Sequence, residues 1–202
     1  MVEAKKSATL VLKKKKWVSI LAPKFFRETE IGQIYVEETA QAIGRTIKVS
    51  LMIITGEPSK QNTKVEFRIT GQTPEGQLTT DPMGYELNVT GMKKFMRRGR
   101  TKLQDSIVME TLDHKKIRIK PVVVTRNEIL SGTKKELRRR MTAFLTEQVT
   151  KMTFENILVD LASRKFQKTG EDILRKLCPI YTLDIGSIRL VFEKKEKDEK
   201  KE

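Results

Sequence analysis

One amphipathic segment, GTKKELRRRMTAFLTEQVTKM (residues 132–152), is the reference point for the rest of the chain. Thr133 and Glu136 have the spacing of a capping box, which predicts the start of a helix. About 20 residues that rise 1.5 Å each would form a helix roughly 30 Å long. Apolar residues recur every three or four positions, the spacing of one helix face that packs on a core: Leu137, Met141, Phe144, Leu145, Val149 and Met152.

The opposite face of this predicted helix is cationic. A run of like charge on a helix is often only a solvated face, and for this segment taken alone that interpretation stays open. Cations at this spacing could also contact a phosphate backbone. The sequence therefore gives five candidate RNA contacts: Lys134, Lys135, Arg138, Arg139 and Arg140.

The composition of the 202-residue chain is strongly basic, with a formal net charge of +15 and a pI near 9.9. A charge this far from zero favours an anionic partner, either nucleic acid or an acidic membrane. A single cysteine and a single histidine exclude an internal disulfide and a zinc site of the usual Cys/His kind. No apolar run approaches the roughly 20 residues of a membrane span, and we see no signal peptide. We expect a soluble, intracellular protein.

Residues 1–16 form a polar arm that ends in four lysines: Lys13, Lys14, Lys15 and Lys16. We predict an extended arm over an anionic surface, and a disordered, solubilising tail is the alternative. A strand is predicted over residues 17–23, with Pro23 ending it. Trp17 could stack on a base, but its apolar neighbours favour a core position.

A β pattern dominates from residue 34 to residue 90. The clearest strand is residues 64–70, where Val65, Phe67 and Ile69 alternate with charged residues. Short strands at this spacing predict a curled antiparallel sheet or barrel. Further strands are predicted over residues 46–55, 77–80 and 85–90.

Residues 90–98 break this β pattern and predict a helix with Thr90 as its N-cap. The segment that follows within residues 93–102 contains six cations and no acid. Because these charges repel one another in the free protein, we predict an anionic partner here. The candidate RNA contacts are Lys93, Lys94, Arg97, Arg98, Arg100 and Lys102.

The remainder of the chain predicts a hairpin and further helices. Residues 104–124 read as the hairpin, with Pro121 at an edge or bulge. Helices are predicted over residues 154–163, capped by Thr153, and from residue 169 onward. The predicted organisation is an arm (1–16), one α+β domain (17–192; β-rich 17–125, helical 131–178, final strand 180–192) and a charged, disordered tail (193–202).

Motifs for catalysis are absent from the sequence, which has no P-loop, dinucleotide-binding glycine motif or nucleophile elbow. His114 reads as a solvated turn residue, and Cys178 before Pro179 as a small packed group. The acidic pairs Glu28/Glu30 and Glu37/Glu38 lack a third metal ligand. We therefore predict no catalytic residue, no metal site and no cofactor.

An ordered set of short motifs resembles the small-subunit ribosomal protein family S-three-A-e, also called e-S-one, in its archaeal form. The resemblance covers nearly the whole chain, and its strength lies in the order and spacing of the pieces. These are Trp17 with Ala22-Pro23 and Phe26, Ile31-Gly32, Gly44-Arg45, Val49-Ser50-Leu51, Phe67-Arg68, Gly84-Tyr85-Glu86-Leu87 and Cys178-Pro179-Ile180-Tyr181-Thr182-Leu183.

The resemblance implies a structural protein of the cytoplasmic ribosome rather than an enzyme. It would bind small-subunit ribosomal RNA on the platform, near the messenger exit, and contact neighbouring ribosomal proteins, with messenger RNA near the exit as a further contact. The basic residues named above come from charge pattern alone. A free RNA-binding factor in translation or RNA processing is the main alternative. A basic peripheral membrane protein is a weaker one, because the helices lack an aromatic insertion face.

Overall fold

The computed structural model describes residues 14–191, so residues 1–13 of the predicted arm, Lys13 among them, and the predicted tail lie outside the described residues. Within this range the strands are β1 (Lys16–Leu21), β2 (Glu30–Val36), β3 (Thr46–Ser50), β4 (Thr63–Gln72), β5 (Leu78–Leu87), β6 (Lys102–Gln104), β7 (Ile107–Glu110), β8 (Lys116–Thr125) and β9 (Ile180–Leu190). The helices are α1 (Leu51–Thr55), α2 (Val89–Lys93), α3 (Ser131–Lys151), α4 (Phe154–Ala162) and α5 (Lys165–Arg175).

The strands of the described range form one sheet, whose main path runs β2-β1-β5-β9-β8-β6. β4 joins this path through β5 and carries β3, while β7 pairs with β8. All pairings are antiparallel except the short contact of β1 with β5 at Ile20 and Leu78. The α+β class and the largely antiparallel sheet are confirmed. The sheet remains open and does not close into a barrel.

The C-terminal helices pack on the sheet and share one hydrophobic core with it. α5 lies along β9, and α3 contacts both α5 and β7. The rings of Phe144 in α3 and Phe166 in α5 are 5.4 Å apart. Buried residues of the central strands, such as Ile119 and Ile188, complete this core.

The predicted apolar face of α3 is confirmed, because Leu137 and the four apolar residues that follow it in the pattern up to Val149 are buried. The predicted capping box is wrong. The helix begins at Ser131 with Leu130 as its N-cap, and no side chain caps it. Glu136 does not reach back to the helix start, because it accepts hydrogen bonds from two arginines of the next turn.

Two predicted strands near the start of the sheet are shorter than the sequence pattern suggested. Residues 46–55 divide into β3 and α1, because the Ser50 hydroxyl accepts from the Met52 amide at 3.4 Å and caps a helical turn. The strand predicted over residues 85–90 ends at Leu87, and α2 follows with Asn88, not Thr90, as its N-cap. Local capping therefore overrides β propensity at both places.

β5 runs continuously through residues 81–84, which separated the two strands predicted over residues 77–80 and 85–90. Its pairing with β4 shifts register between Glu66 and Phe67, opposite Gly84 and Pro82. Proline is tolerated inside a sheet at such an irregularity, because one ladder hydrogen bond is already missing there. Pro121 lies at a comparable shift between β8 and β9, as predicted.

The prediction that Trp17 belongs to the core is wrong, since the residue is 67% exposed. Side chains of a strand alternate between the two faces of the sheet. Val18 and Ile20 of β1 are buried, so Trp17 lies on the outer face. Because Val18 and Ile20 face the core, the side chain of Trp17, one position before Val18 in the alternation, faces the opposite side.

The two last helices follow the sequence pattern in part. Thr153 caps α4 as predicted, with its hydroxyl accepting from the Asn156 amide at 3.4 Å. The start predicted for α5 near residue 169 is wrong, because the helix begins at Lys165, directly after Arg164. Arg164 has a left-handed φ of 59° that separates α4 from α5.

Gly84 offers a test of the sheet topology. A Cβ there would lie 2.7 Å from the carbonyl oxygen of Ile188, an atom of the paired strand β9. Because that atom cannot move freely, we expect Gly84→Ala to lower the free energy of unfolding by about 1–3 kcal/mol. Gly32→Ala in β2 is the matched control, since its Cβ would meet nothing within 4 Å. Urea unfolding measures both, and equal losses would contradict the packing of β5 on β9.

Candidate nucleic-acid interface

The cationic face of α3 is partly neutralised by carboxylates of the same chain. Arg138 Nε lies 3.2 Å from Asp105 Oδ1. Glu136 pairs with Arg139 and Arg140, at Nε–O distances of 3.1 and 3.0 Å. Hydrogen bonds from Arg140 and Arg139 lower the pKa of Glu136, so this carboxylate is ionised at neutral pH. We call the five predicted cations of this face (Lys134, Lys135, Arg138, Arg139 and Arg140) the α3 cluster.

The segment from the last residue of α2 to the first residue of β6 is basic and has no such neutralisation. Within residues 14–191, none of its six predicted cations is paired with a carboxylate. Five of them are exposed, and only Arg100 is partly covered. The repulsion among them is therefore unrelieved within the described part of the protein. We call Lys93, Lys94, Arg97, Arg98, Arg100 and Lys102 the loop cluster.

Arg100 holds the loop cluster against the sheet. Its guanidinium carbon lies 4.0 Å from the ring centroid of Tyr181 in β9, a cation–π contact. The same guanidinium donates to the carbonyl oxygen of Phe95 at 3.1 Å. The rings of Phe95 and Tyr181 are 5.9 Å apart. Arg100 therefore stabilises the conformation of the loop. The other five cations of the loop cluster are exposed to solvent.

The segments that flank the loop cluster and the α3 cluster contact each other. Thr101 forms backbone and side-chain hydrogen bonds with Thr125 of β8, and its hydroxyl accepts from the Ile129 amide at 3.2 Å, just before α3. The Arg138–Asp105 ion pair adds a second link, three residues beyond Lys102. The structure therefore links the chain segments that carry two of the three predicted basic clusters.

The third predicted cluster is separate from these two. Lys14, Lys15 and Lys16 are exposed at the start of β1, and Lys16 is its first residue rather than part of a free arm. Lys15 Nζ lies 4.0 Å from Glu37 of the adjacent strand end. We call the three residues the N-terminal lysines.

A fourth basic surface was not among the predicted site residues. Lys116, Arg118 and Lys120 of β8 are exposed on the outer face of the sheet. Arg189 of β9 lies directly opposite Arg118 in the register, with a shallow cleft of about 300 Å³ beside them. The alternation of these cations with Ile117 and Ile119 was visible in the sequence, but only the pairing of β8 with β9 adds Arg189.

Other chemistries have little support in the described residues. No group of three or more His, Cys, Asp or Glu residues there could hold a metal ion. None of the described helices is both long and apolar enough to cross a bilayer. His114 lies exposed in the β7–β8 turn, as predicted, and its Nδ1 is 3.1 Å from Glu110. Cys178 is buried, and burial raises the pKa of its thiol, which disfavours the nucleophilic thiolate.

Comparison with known proteins agrees with the resemblance that the sequence showed. The Ribosomal S3Ae family matches residues 3–193. The small ribosomal subunit protein eS1 of Halorubrum lacusprofundi is 28% identical over 187 residues, which cover 93% of this chain and 86% of that protein. The protein of the same name from Methanothermobacter thermautotrophicus is 26% identical over 181 residues, or 90% and 92% of the two chains. This chain therefore belongs to the Ribosomal S3Ae family, a family of structural ribosomal proteins and not of enzymes.

Proposed function

We propose that this protein is a structural component of the small ribosomal subunit in the cytoplasm, where it binds ribosomal RNA. Its single α+β domain, residues 17–192, would lie on the platform near the messenger exit, beside neighbouring ribosomal proteins and within reach of messenger RNA. The family and the names of its relatives support the ribosomal role. The observation that carries RNA binding is the loop cluster, whose cations have no carboxylate partner among the described residues.

The binding mode follows from the chemistry of the exposed residues. Lysine and arginine contact phosphate oxygens, which supply affinity that is largely independent of base sequence. Duplex RNA hides its base edges in a deep, narrow groove, so the shape of the protein surface positions the contacts. The contacts between the segments that flank the loop cluster and the α3 cluster support a shared surface for one RNA helix, on which both clusters would contact phosphates.

A peripheral membrane role is disfavoured by the burial of α3. An interfacial helix needs an apolar face that is free to enter the lipid. Leu137, Met141 and Val149 are instead fully covered by the protein core. Only the cationic face of α3 is available to a partner.

The placement is tested by sedimentation of native particles that carry a tagged copy of the chain. We expect the protein to sediment with small-subunit RNA. A high-salt wash should release it more readily than it releases a ribosomal protein that is buried inside the subunit. A chain that remains at the top of the gradient, bound to other RNA, would instead indicate a free RNA-binding factor.

Salt dependence tests the phosphate contacts. We expect the full chain to bind structured RNA with a slope of log affinity against log salt of about −5 to −7, because each neutralised phosphate contributes roughly −0.7 to −0.9. Fluorescence anisotropy at four or more salt concentrations measures this slope. Two structured RNAs of unrelated sequence should give similar values. A slope near zero would contradict the proposal.

A further inference from the structure

Three cations that the sequence did not assign to a site converge on the outer face of the sheet. Arg118 of β8 lies opposite Arg189 of β9, and Lys120 lies opposite Ser187. Residues that face each other in a register carry their side chains on the same face of the sheet. Arg118, Lys120 and Arg189 line the cleft of about 300 Å³, and no described carboxylate lines it with them. We call these three cations the sheet cluster.

Ion pairs neutralise the sheet cluster only in part. Glu86 Oε2 lies 3.2 Å from Arg189 and 3.4 Å from Lys48, so one carboxylate is shared by two cations. Within the described range, the side chains of Arg118 and Lys120 form no ion pair. The cleft therefore keeps a positive charge after its internal pairing is counted.

The whole outer face is positive when its charges are followed along the register. Across β7, β8, β9, β5, β4 and β3 the register places six cations and three acids on this face, a surplus of three. The cations are Lys48, Lys64, Lys116, Arg118, Lys120 and Arg189, and the acids are Glu66, Glu86 and Glu110. Residues 193–202 carry five cations and five acids, so they add no net charge. An anionic partner is therefore favoured.

The loop cluster reaches the same face at the other end of β8. Lys102 lies opposite Val124 in the register of β6 with β8. Side chains alternate along a strand, so Val124 shares its face with Lys120 and Arg118. Lys102 therefore lies on the outer face as well. Six residues separate the level of Val124 from Arg118, which is about 20 Å along a strand.

α2 lies on the outer face between these two groups of cations. Val122 belongs to this face by the same alternation, yet it is only 3% exposed. A Cβ at Gly186 would lie 3.3 Å from Val122 Cγ2 and 3.7 Å from Met92 Sδ, so Met92 of α2 lies close to Val122. The loop cluster begins at the next residue, Lys93. The loop cluster and the sheet cluster are therefore neighbours on one side of the sheet.

We propose that Arg118, Lys120 and Arg189 contact backbone phosphates of the same RNA that the loop cluster binds. The proposal rests on the proposed RNA-binding function and extends its surface across the outer face of the sheet. Cations spread over about 20 Å suit a polyanion that carries phosphates along its length. A protein partner is less suited, because lysine is depleted at protein interfaces.

A double variant tests the sheet cluster, with affinity for a structured RNA read by fluorescence anisotropy of the full chain. We expect Arg118→Ala with Lys120→Ala to make the salt slope about 1 to 2 less steep, because two phosphate contacts are lost. Arg189 is kept, since it pairs with Glu86. Both replaced side chains are exposed, so the melting temperature should be unchanged.

Lys165→Ala with Lys168→Ala is the matched control, because it removes the same charge from exposed positions of α5 on the helical side of the sheet. We expect this control to leave the slope nearly unchanged. Equal changes in both double variants would mean that only net charge matters and would overturn the proposal.

Footprinting on small-subunit ribosomal RNA tests whether the two clusters contact one RNA segment. We expect Arg118→Ala with Lys120→Ala to open protections adjacent to those opened by neutralising the exposed cations of the loop cluster. Protections on distant RNA segments would overturn the shared contact.

The same measurements separate this proposal from the proposed function. A wild-type protein that binds structured RNA without salt dependence would overturn both. A wild type with the expected slope, together with an unchanged slope in the Arg118/Lys120 variant, would overturn the sheet contact alone. A variant that binds RNA normally but no longer sediments with the subunit would indicate a protein contact at this face and overturn the proposal.

Discussion

Leu137→Asp is expected to lower the free energy of unfolding by more than about 4 kcal/mol, which is a large part of the stability of an ordinary domain. Leu137 is fully buried near the start of α3. The substitution removes its apolar contacts, which alone are worth about 2–5 kcal/mol. It also places a carboxyl group in the core without a hydrogen-bond partner, at a further cost of several kcal/mol.

The double variant Arg138→Ala with Arg139→Ala is the control on the opposite face of the same helix. Both side chains are more than half exposed, at 53% and 80%. Their ion pairs with Asp105 and Glu136 are solvated, so their loss should cost about 0–1 kcal/mol each. Urea and thermal unfolding of both variants check the expectation. An arginine variant that melts as early as Leu137→Asp would mean that the cationic face packs inward.

Neutralising the loop cluster is expected to cause the largest loss of RNA affinity. Replacing its five exposed cations by alanine, with Arg100 kept to hold the loop on Tyr181, should make the salt slope about 3 to 4 less steep. The same treatment of the α3 cluster should change the slope less. Two of its five charges are already offset by the carboxylates of Asp105 and Glu136.

Footprinting on ribosomal RNA tests whether these two clusters act together. Because Thr101 and the Arg138–Asp105 pair link the segments that carry the two clusters, we expect the loss of either cluster to open overlapping protections. Loss of the N-terminal lysines should open a separate one. Protections of the two body clusters that never overlap would contradict a shared RNA surface, even if both variants bind weakly.

The parts of the fold that could be predicted are those in which buried residues recur at the regular spacing of a strand or a helix. The alternation of Val65, Phe67 and Ile69 and the helical spacing of α3 each report a single buried face, and both are confirmed. The basic clusters were visible for a similar reason, because charge density is a local property. Glu136 could also have been assigned to Arg140 from the four-residue spacing alone.

The parts that could not be predicted depend on contacts distant in sequence. The outer position of Trp17 follows from which face of β1 meets the core, and residue type does not determine that. The start of α5 depends on Arg164, whose Nη2 donates to Asp184 of β9 at 3.1 Å. Asp105 is 33 positions from Arg138 along the chain, so no local pattern could show that it offsets the α3 cluster.

The carboxylates of Asp105 and Glu136, which pair with arginines of α3, have a consequence for the selectivity of this helix face among anions. An anion that approaches Arg138, Arg139 or Arg140 competes with Asp105 or Glu136, which are held close by the same chain and therefore act at a high effective concentration. A free phosphate or a mononucleotide offers one contact in exchange and gains little. A folded RNA offers several phosphates at once and gains by avidity. In the proposed RNA-binding role, these ion pairs would weaken the binding of small anions more than the binding of a multivalent RNA, and would so add to selectivity.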